Sequence, residues 1–184
     1  MGGYMLEVIE KLISLCARAL LFLGAVAIVL MMSHVMVEVA LRTLFDKSIP
    51  GTEEIVSGYY MVAVVFLPLA YVQLERGHVI IELFTLKAGP RLKAWMDGFV
   101  YVVCSGALGI FTYATFDKAI NMTTKNEMWI GMIEVTIWPA RWILPFGLGI
   151  MMMIMILQAI REFQSAITGE RYQSPMHAED SEQV

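Results

Sequence analysis

Residues 19–37 read ALLFLGAVAIVLMMSHVMV, nineteen consecutive positions without Asp, Glu, Lys or Arg. As an α-helix this stretch rises about 28 Å at 1.5 Å per residue, close to the roughly 30 Å hydrocarbon core of a bilayer. Three similar stretches follow: 55–74 with twenty residues, 98–116 with nineteen and 142–160 with nineteen. Lipid offers no partner to backbone N–H and C=O groups, so a spanning segment must be a helix or part of a closed barrel. The alternation of about ten residues that marks barrel strands is absent from the sequence. The expected fold is an all-α membrane protein with four transmembrane helices.

The whole chain agrees. Of its 184 residues 58% are apolar and 16% charged, against roughly 45–50% and about 25% in soluble proteins. Mean hydropathy is +0.67. A net charge of −4 provides no basic patch, so nucleic acid is not an expected partner. Two cysteines, Cys16 and Cys104, are too few for a disulfide framework and form no CxxC pair. Residues 1–167 are expected to form the membrane domain and 168–184 a polar, disordered cytoplasmic tail. The first stretch exceeds a secretory h-region and follows Glu7 and Glu10, so it reads as a retained helix.

Lys and Arg set the orientation. The N-terminal stretch, second connection and tail carry eight of them, the first and third connections five. The positive-inside bias therefore places both termini in the cytoplasm of a multi-pass inner-membrane protein. Between the second and third spans, His78-Val79-Ile80-Ile81-Glu82-Leu83-Phe84 is too short to cross. It is apolar enough to lie in the lipid interface as an amphipathic segment. The third connection mixes polar residues with Trp129, Ile130, Met132 and Ile133, which predicts that it folds onto something.

Chemistry-bearing residues are few. His34, Glu38 and Arg42 fall at i, i+4 and i+8 on one helical face, where Glu38 and Arg42 can pair and reach the interface. A proton relay through Glu38 is the sharper alternative, because ionisable groups near a bilayer are functional candidates by default. Haem would need paired ligands, and His34, His78 and His177 cannot meet at one depth. Pro50-Gly51-Thr52-Glu53-Glu54 reads as a helix start, with Thr52 able to cap and both acids complementing the helix dipole. Asp46 and Glu127 are the only loose additions to a metal site there, so no metal is expected. Pro68 and Pro145 interrupt the second and fourth spans. No Ser-His-Asp set, phosphate loop or HExxH motif is present, so no enzyme is expected.

In order and spacing, several of these motifs resemble one family. They are Glu38-Val39-Ala40-Leu41-Arg42-Thr43-Leu44-Phe45, Thr52-Glu53-Glu54-Ile55, Phe66-Leu67 with Ala70, Arg76-Gly77-His78-Val79, and Trp138-Pro139 with Trp142 and Pro145-Phe146-Gly147. The family is the DctQ-type small membrane subunit of tripartite ATP-independent periplasmic (TRAP) transporters, and the likeness runs from about residue 15 to 163. Two positions depart from it: Gly51 stands where many relatives have Trp, and Val79-Ile80-Ile81-Glu82 follows His78.

The resemblance implies a non-catalytic permease component of a sodium-coupled symporter taking up a small organic anion. Its implied partners are a large multi-helix membrane subunit, a periplasmic substrate-binding protein and membrane lipids. It implies no cofactor in this chain, the sodium gradient being used by the partner subunit. It also implies structural or interface roles. Glu38 and Arg42 would end the first helix, Glu53 and Glu54 start the second, and His78 tie the interfacial segment down. Pro139, Arg141 and Pro145 would shape the fourth helix beside a third connection that meets the binding protein. The rival reading is a self-contained proton-coupled transporter acting as a homodimer through Glu38. A membrane anchor of a redox enzyme, carrying haem or quinone, is a further alternative.

Overall fold

The computed structural model describes residues 2–75, 90–130 and 134–168. The expected interfacial segment with His78, and the tail, lie outside the described residues. Among the described residues, four helices are long and apolar enough to cross a membrane. They are α1 (Gly2–Phe45), α2 (Thr52–Leu74), α3 (Pro90–Thr124) and α4 (Ala140–Thr168). Between α3 and α4 a small hairpin pairs β1 (Met128–Ile130) antiparallel with β2 (Glu134–Thr136).

The helices outrun the charge-free stretches. α1 has 44 residues, about 66 Å of helix, roughly twice the hydrocarbon thickness. One face of its extension before residue 19 is packed: Ile13 and Ala17 are buried with Ala70, Met151, Ile154 and Met155. Ile13, Ala17 and Gly24 fall at i, i+4 and i+11, which puts two small residues beside Ile13 along the face that meets α2 and α4.

α2 is the interrupted helix. A π-helical turn occupies Val56–Tyr60, and a break at Pro68 separates Met61–Phe66 from Leu69–Leu74. Proline removes an N–H and its ring collides with the turn before it, which accounts for the break. The bend is seated between two glycines. A methyl on Gly24 of α1 would lie 2.9 Å from the Pro68 ring, and one on Gly147 of α4 would overlap the Phe66 carbonyl oxygen. Close backbone approach at small residues is how helices associate in lipid, where no hydrophobic force drives them together.

α4 is the centre of the molecule and contacts α1, α2 and α3, whereas α3 packs almost entirely along α4. Of the most apolar stretch in each helix, 39% is buried in α4, 17% in α2, 6% in α1 and none in α3. Outward faces of α1 and α3 therefore carry large, mostly exposed apolar side chains, such as Phe22 and Met36 on α1 and Phe99 and Ile110 on α3.

Candidate functional site

The sequence motifs converge at the end of the bundle that carries the hairpin. His34 and Glu38 do share a face of α1, and that face looks onto the start of α2. The His34 ring meets Tyr60 edge-on at 6.0 Å. The Glu38 carboxylate accepts a 2.6 Å hydrogen bond from the Ile49 N–H. Arg42 is exposed, and no ion pair joins it to Glu38 among the described residues. The expected pairing of Glu38 with Arg42 is thus replaced by a bond to the loop. Asp46, in the left-handed region at φ 53°, turns the chain back over the end of α1 and brings the Ile49 amide to Glu38. A charge-assisted bond to a half-buried amide outweighs an ion pair exposed to water.

The start of α2 also differs in detail. Thr52 is its first residue rather than its cap, and the hydroxyl donates to the Ile49 carbonyl at 3.1 Å. The cap position is Gly51, buried at φ 90°, a conformation that a side chain would strain. Glu53 and Glu54 occupy the first turn, Glu53 exposed and Glu54 half-buried.

The third connection folds back onto these elements. Ile137 lies against Gly58 in the π-helical turn, and the Tyr59 hydroxyl donates to the Thr136 carbonyl. At the foot of the hairpin, Arg141 grips Glu127 with two bonds, Nε to Oε2 at 3.0 Å and Nη2 to Oε1 at 2.8 Å. The Arg141 guanidinium beside Glu127 holds its carboxyl below the ordinary carboxylate value. Trp142 donates from Nε1 to the Thr123 hydroxyl at 3.0 Å and meets Phe116 edge-on at 5.5 Å. Pro139 stands in the turn just before α4, its carbonyl accepting from the Trp142 N–H at 3.2 Å, and Pro145 is buried inside α4. Of the residues singled out in the sequence, Glu38, Glu53, Glu54, Pro139 and Arg141 therefore gather at one end. Arg42 faces outward there, Pro145 lies deeper, and His78 is outside the described residues.

Sequence reading missed three contacts. Tyr59 and Glu127 were not recognised as partners of Thr136 and Arg141. The third lies between α2 and α4 near the opposite end, where Gln73 donates Nε2 to Gln158 Oε1 at 2.6 Å and Gln158 donates back to the Gln73 backbone carbonyl at 3.1 Å. That carbonyl belongs to the last turn of α2, and the Gln158 amide ties it to α4. A signal existed: Gln73 and Gln158 are the only amide side chains within the four charge-free stretches. Beyond them Arg161 holds Glu10 of α1 through Nε at 2.8 Å and Nη2 at 3.0 Å.

Chemically these groups fasten one helix to another. Glu38 is engaged by its own loop, which lends nothing to a proton relay. Among the described residues, apolar side chains stay exposed on α1, on α3 and on the β1 strand of the hairpin. Comparison with known proteins gives a family: residues 31–165, well over half of the chain, match the model of the tripartite ATP-independent periplasmic transporters, DctQ component. No curated protein and no solved structure matches.

Proposed function

Because this chain belongs to the family of DctQ components of tripartite ATP-independent periplasmic transporters, we propose that it is the non-catalytic small membrane component of such a system. It braces a large multi-helix membrane subunit in the bacterial inner membrane and helps to dock a periplasmic binding protein. The large subunit moves a small organic anion and couples uptake to the sodium gradient, and this chain carries no cofactor of its own. Both termini lie in the cytoplasm, following the Lys and Arg bias. The hairpin and the 46–51 loop then face the periplasm.

The observation that carries this reading is the one-sided packing of α3, which meets α4 along one face but has no fully buried residue in its apolar stretch, beside an α4 that buries 39% of its own. A four-helix protein acting alone would be expected to close around a polar pathway, since substrate routes need polar groups at depth. Here the polar contacts fasten helices together and the outward faces stay apolar, as suits a brace between lipid and a larger subunit. The test is recovery of the tagged chain from native membranes in mild detergent, with partners identified by mass spectrometry. A near-stoichiometric membrane protein with about ten spans is the expected companion. Recovery of the chain alone, or as a homodimer, would overturn the proposal.

A further inference from the structure

The hairpin has two outer edges, and among the described residues only one is met by a side chain from another element. In an antiparallel pair, residues that exchange both ladder bonds alternate with residues whose N–H and C=O point away from the partner strand. The Ile137 N–H donates to the Glu127 carbonyl at 3.0 Å. The register pairs Met128 with Thr136, Trp129 with Val135 and Ile130 with Glu134. Trp129–Val135 is therefore a bonded pair, Glu127 and Ile137 share the single bond because the Glu127 N–H donates to the Met122 carbonyl at 3.1 Å, and Met128, Ile130, Glu134 and Thr136 aim their backbone groups outward. On the β2 side the outward carbonyl of Thr136 is taken by the Tyr59 hydroxyl, so α2 covers that edge. On the β1 side the backbone groups of Met128 have no partner among the described residues. Met128 is 51% exposed and Trp129 is 50% exposed.

We propose that the β1 edge docks an extended segment of the periplasmic binding protein by strand addition, an inference that rests on the functional reading above. Backbone donors and acceptors presented at alternate residues are matched by another extended backbone and by nothing in a lipid tail. The hairpin joins the last residue of α3, Thr124, to the first of α4, Ala140. It therefore lies beyond the apolar stretches, where a partner arrives from water. The soluble member of a tripartite system is its binding protein. Met128 and Trp129 flank the edge with apolar surface, and tryptophan is among the side chains that anchor such contacts. The strand is three residues long, enough for reversible docking and too short to template the edge-to-edge stacking that long bare strands invite.

The experiment is residue-resolved hydrogen exchange on the assembled membrane complex, with and without the purified binding protein of the same transporter. The amides of Met128 and Ile130 should slow by about tenfold or more on its addition, while that of Trp129, already in the ladder, changes little. Met128→Pro removes the outward N–H at a position where the β1–β2 ladder does not use it. It should weaken binding about fivefold, while Met128→Ala stays within about twofold. Thermal unfolding of both variants near the parent temperature confirms that the hairpin is retained. Binding without protection of these two amides would overturn strand addition and leave the accessory-subunit reading standing. No binding to the parent complex would overturn both.

Discussion

Glu38 and Glu127 carry the same charge into different bonds, and the difference decides how each should respond to substitution. Glu38 serves a loop amide. Truncation to Ala strands the half-buried Ile49 N–H and should cost about 1–2 kcal/mol. Glu38→Gln keeps an acceptor and should cost less than half of that. Thermal unfolding in detergent separates the two. Glu127 instead depends on Arg141, whose side chain is 43% exposed against 26% for its own. Water screens such a pair, so Arg141→Ala should cost about 1 kcal/mol or less. The sign of its pH dependence follows from the carboxyl lying below its ordinary value of 4.5 when folded. The stabilisation is present above about pH 4.5 and is lost as pH falls through the lowered folded value. The gap in unfolding temperature between parent and Glu127→Gln should thus persist at pH 7 and close on acidification toward pH 3. A gap that widened in acid would contradict the assignment. The importance of Arg141 was legible as part of a family motif. Its partner lies 14 positions upstream across a hairpin, a contact that no helical or strand period connects.

At the scale of the element, the charge-free runs gave the number and approximate depth of the helices, because an uninterrupted apolar run is what lipid demands of a spanning segment. They did not give the ends. α1 begins at Gly2 and α3 continues to Thr124, since outside the bilayer a helix can continue through Glu, Lys and Asp at no penalty that the pattern records. Nor did they reveal the three-residue strands, too short for alternation to register. The interior of α2 was legible only as a proline. Its seating between Gly24 and Gly147 depends on which faces of three separate segments meet. The Gln73–Gln158 clasp gives the sharpest test at this scale. Gln158→Leu strands the Gln73 side chain, 1% exposed, and removes the amide bond to the Gln73 carbonyl, and should cost about 1–2 kcal/mol. Gln73→Leu leaves Gln158 its bond to that carbonyl and should cost less. The double variant should cost less than the two singles added together, because replacing both partners removes the stranded group. Strict additivity in unfolding measurements would show that the two amides act independently.

Across the whole molecule the arrangement is lopsided, with one well-buried helix, α4, and an opposite partner, α3, that is attached along a single side. On the proposed bracing role, part of the stability of such a chain is supplied by its partner. A partner that binds only the folded form adds stability by mass action, about 2.7 kcal/mol when it is present at a hundred times its dissociation constant. For a chain of this length that corresponds to a rise of roughly 5–10 °C in unfolding temperature. The isolated chain in detergent should therefore unfold well below the temperature at which the same chain unfolds inside the intact membrane complex, and the difference should shrink on dilution. Monitoring Trp95, Trp129, Trp138 and Trp142 by fluorescence reads both samples. Equal temperatures for the two would mean that the bare faces of α1 and α3 meet lipid alone. The chain would then be a passenger in the complex rather than a brace within it.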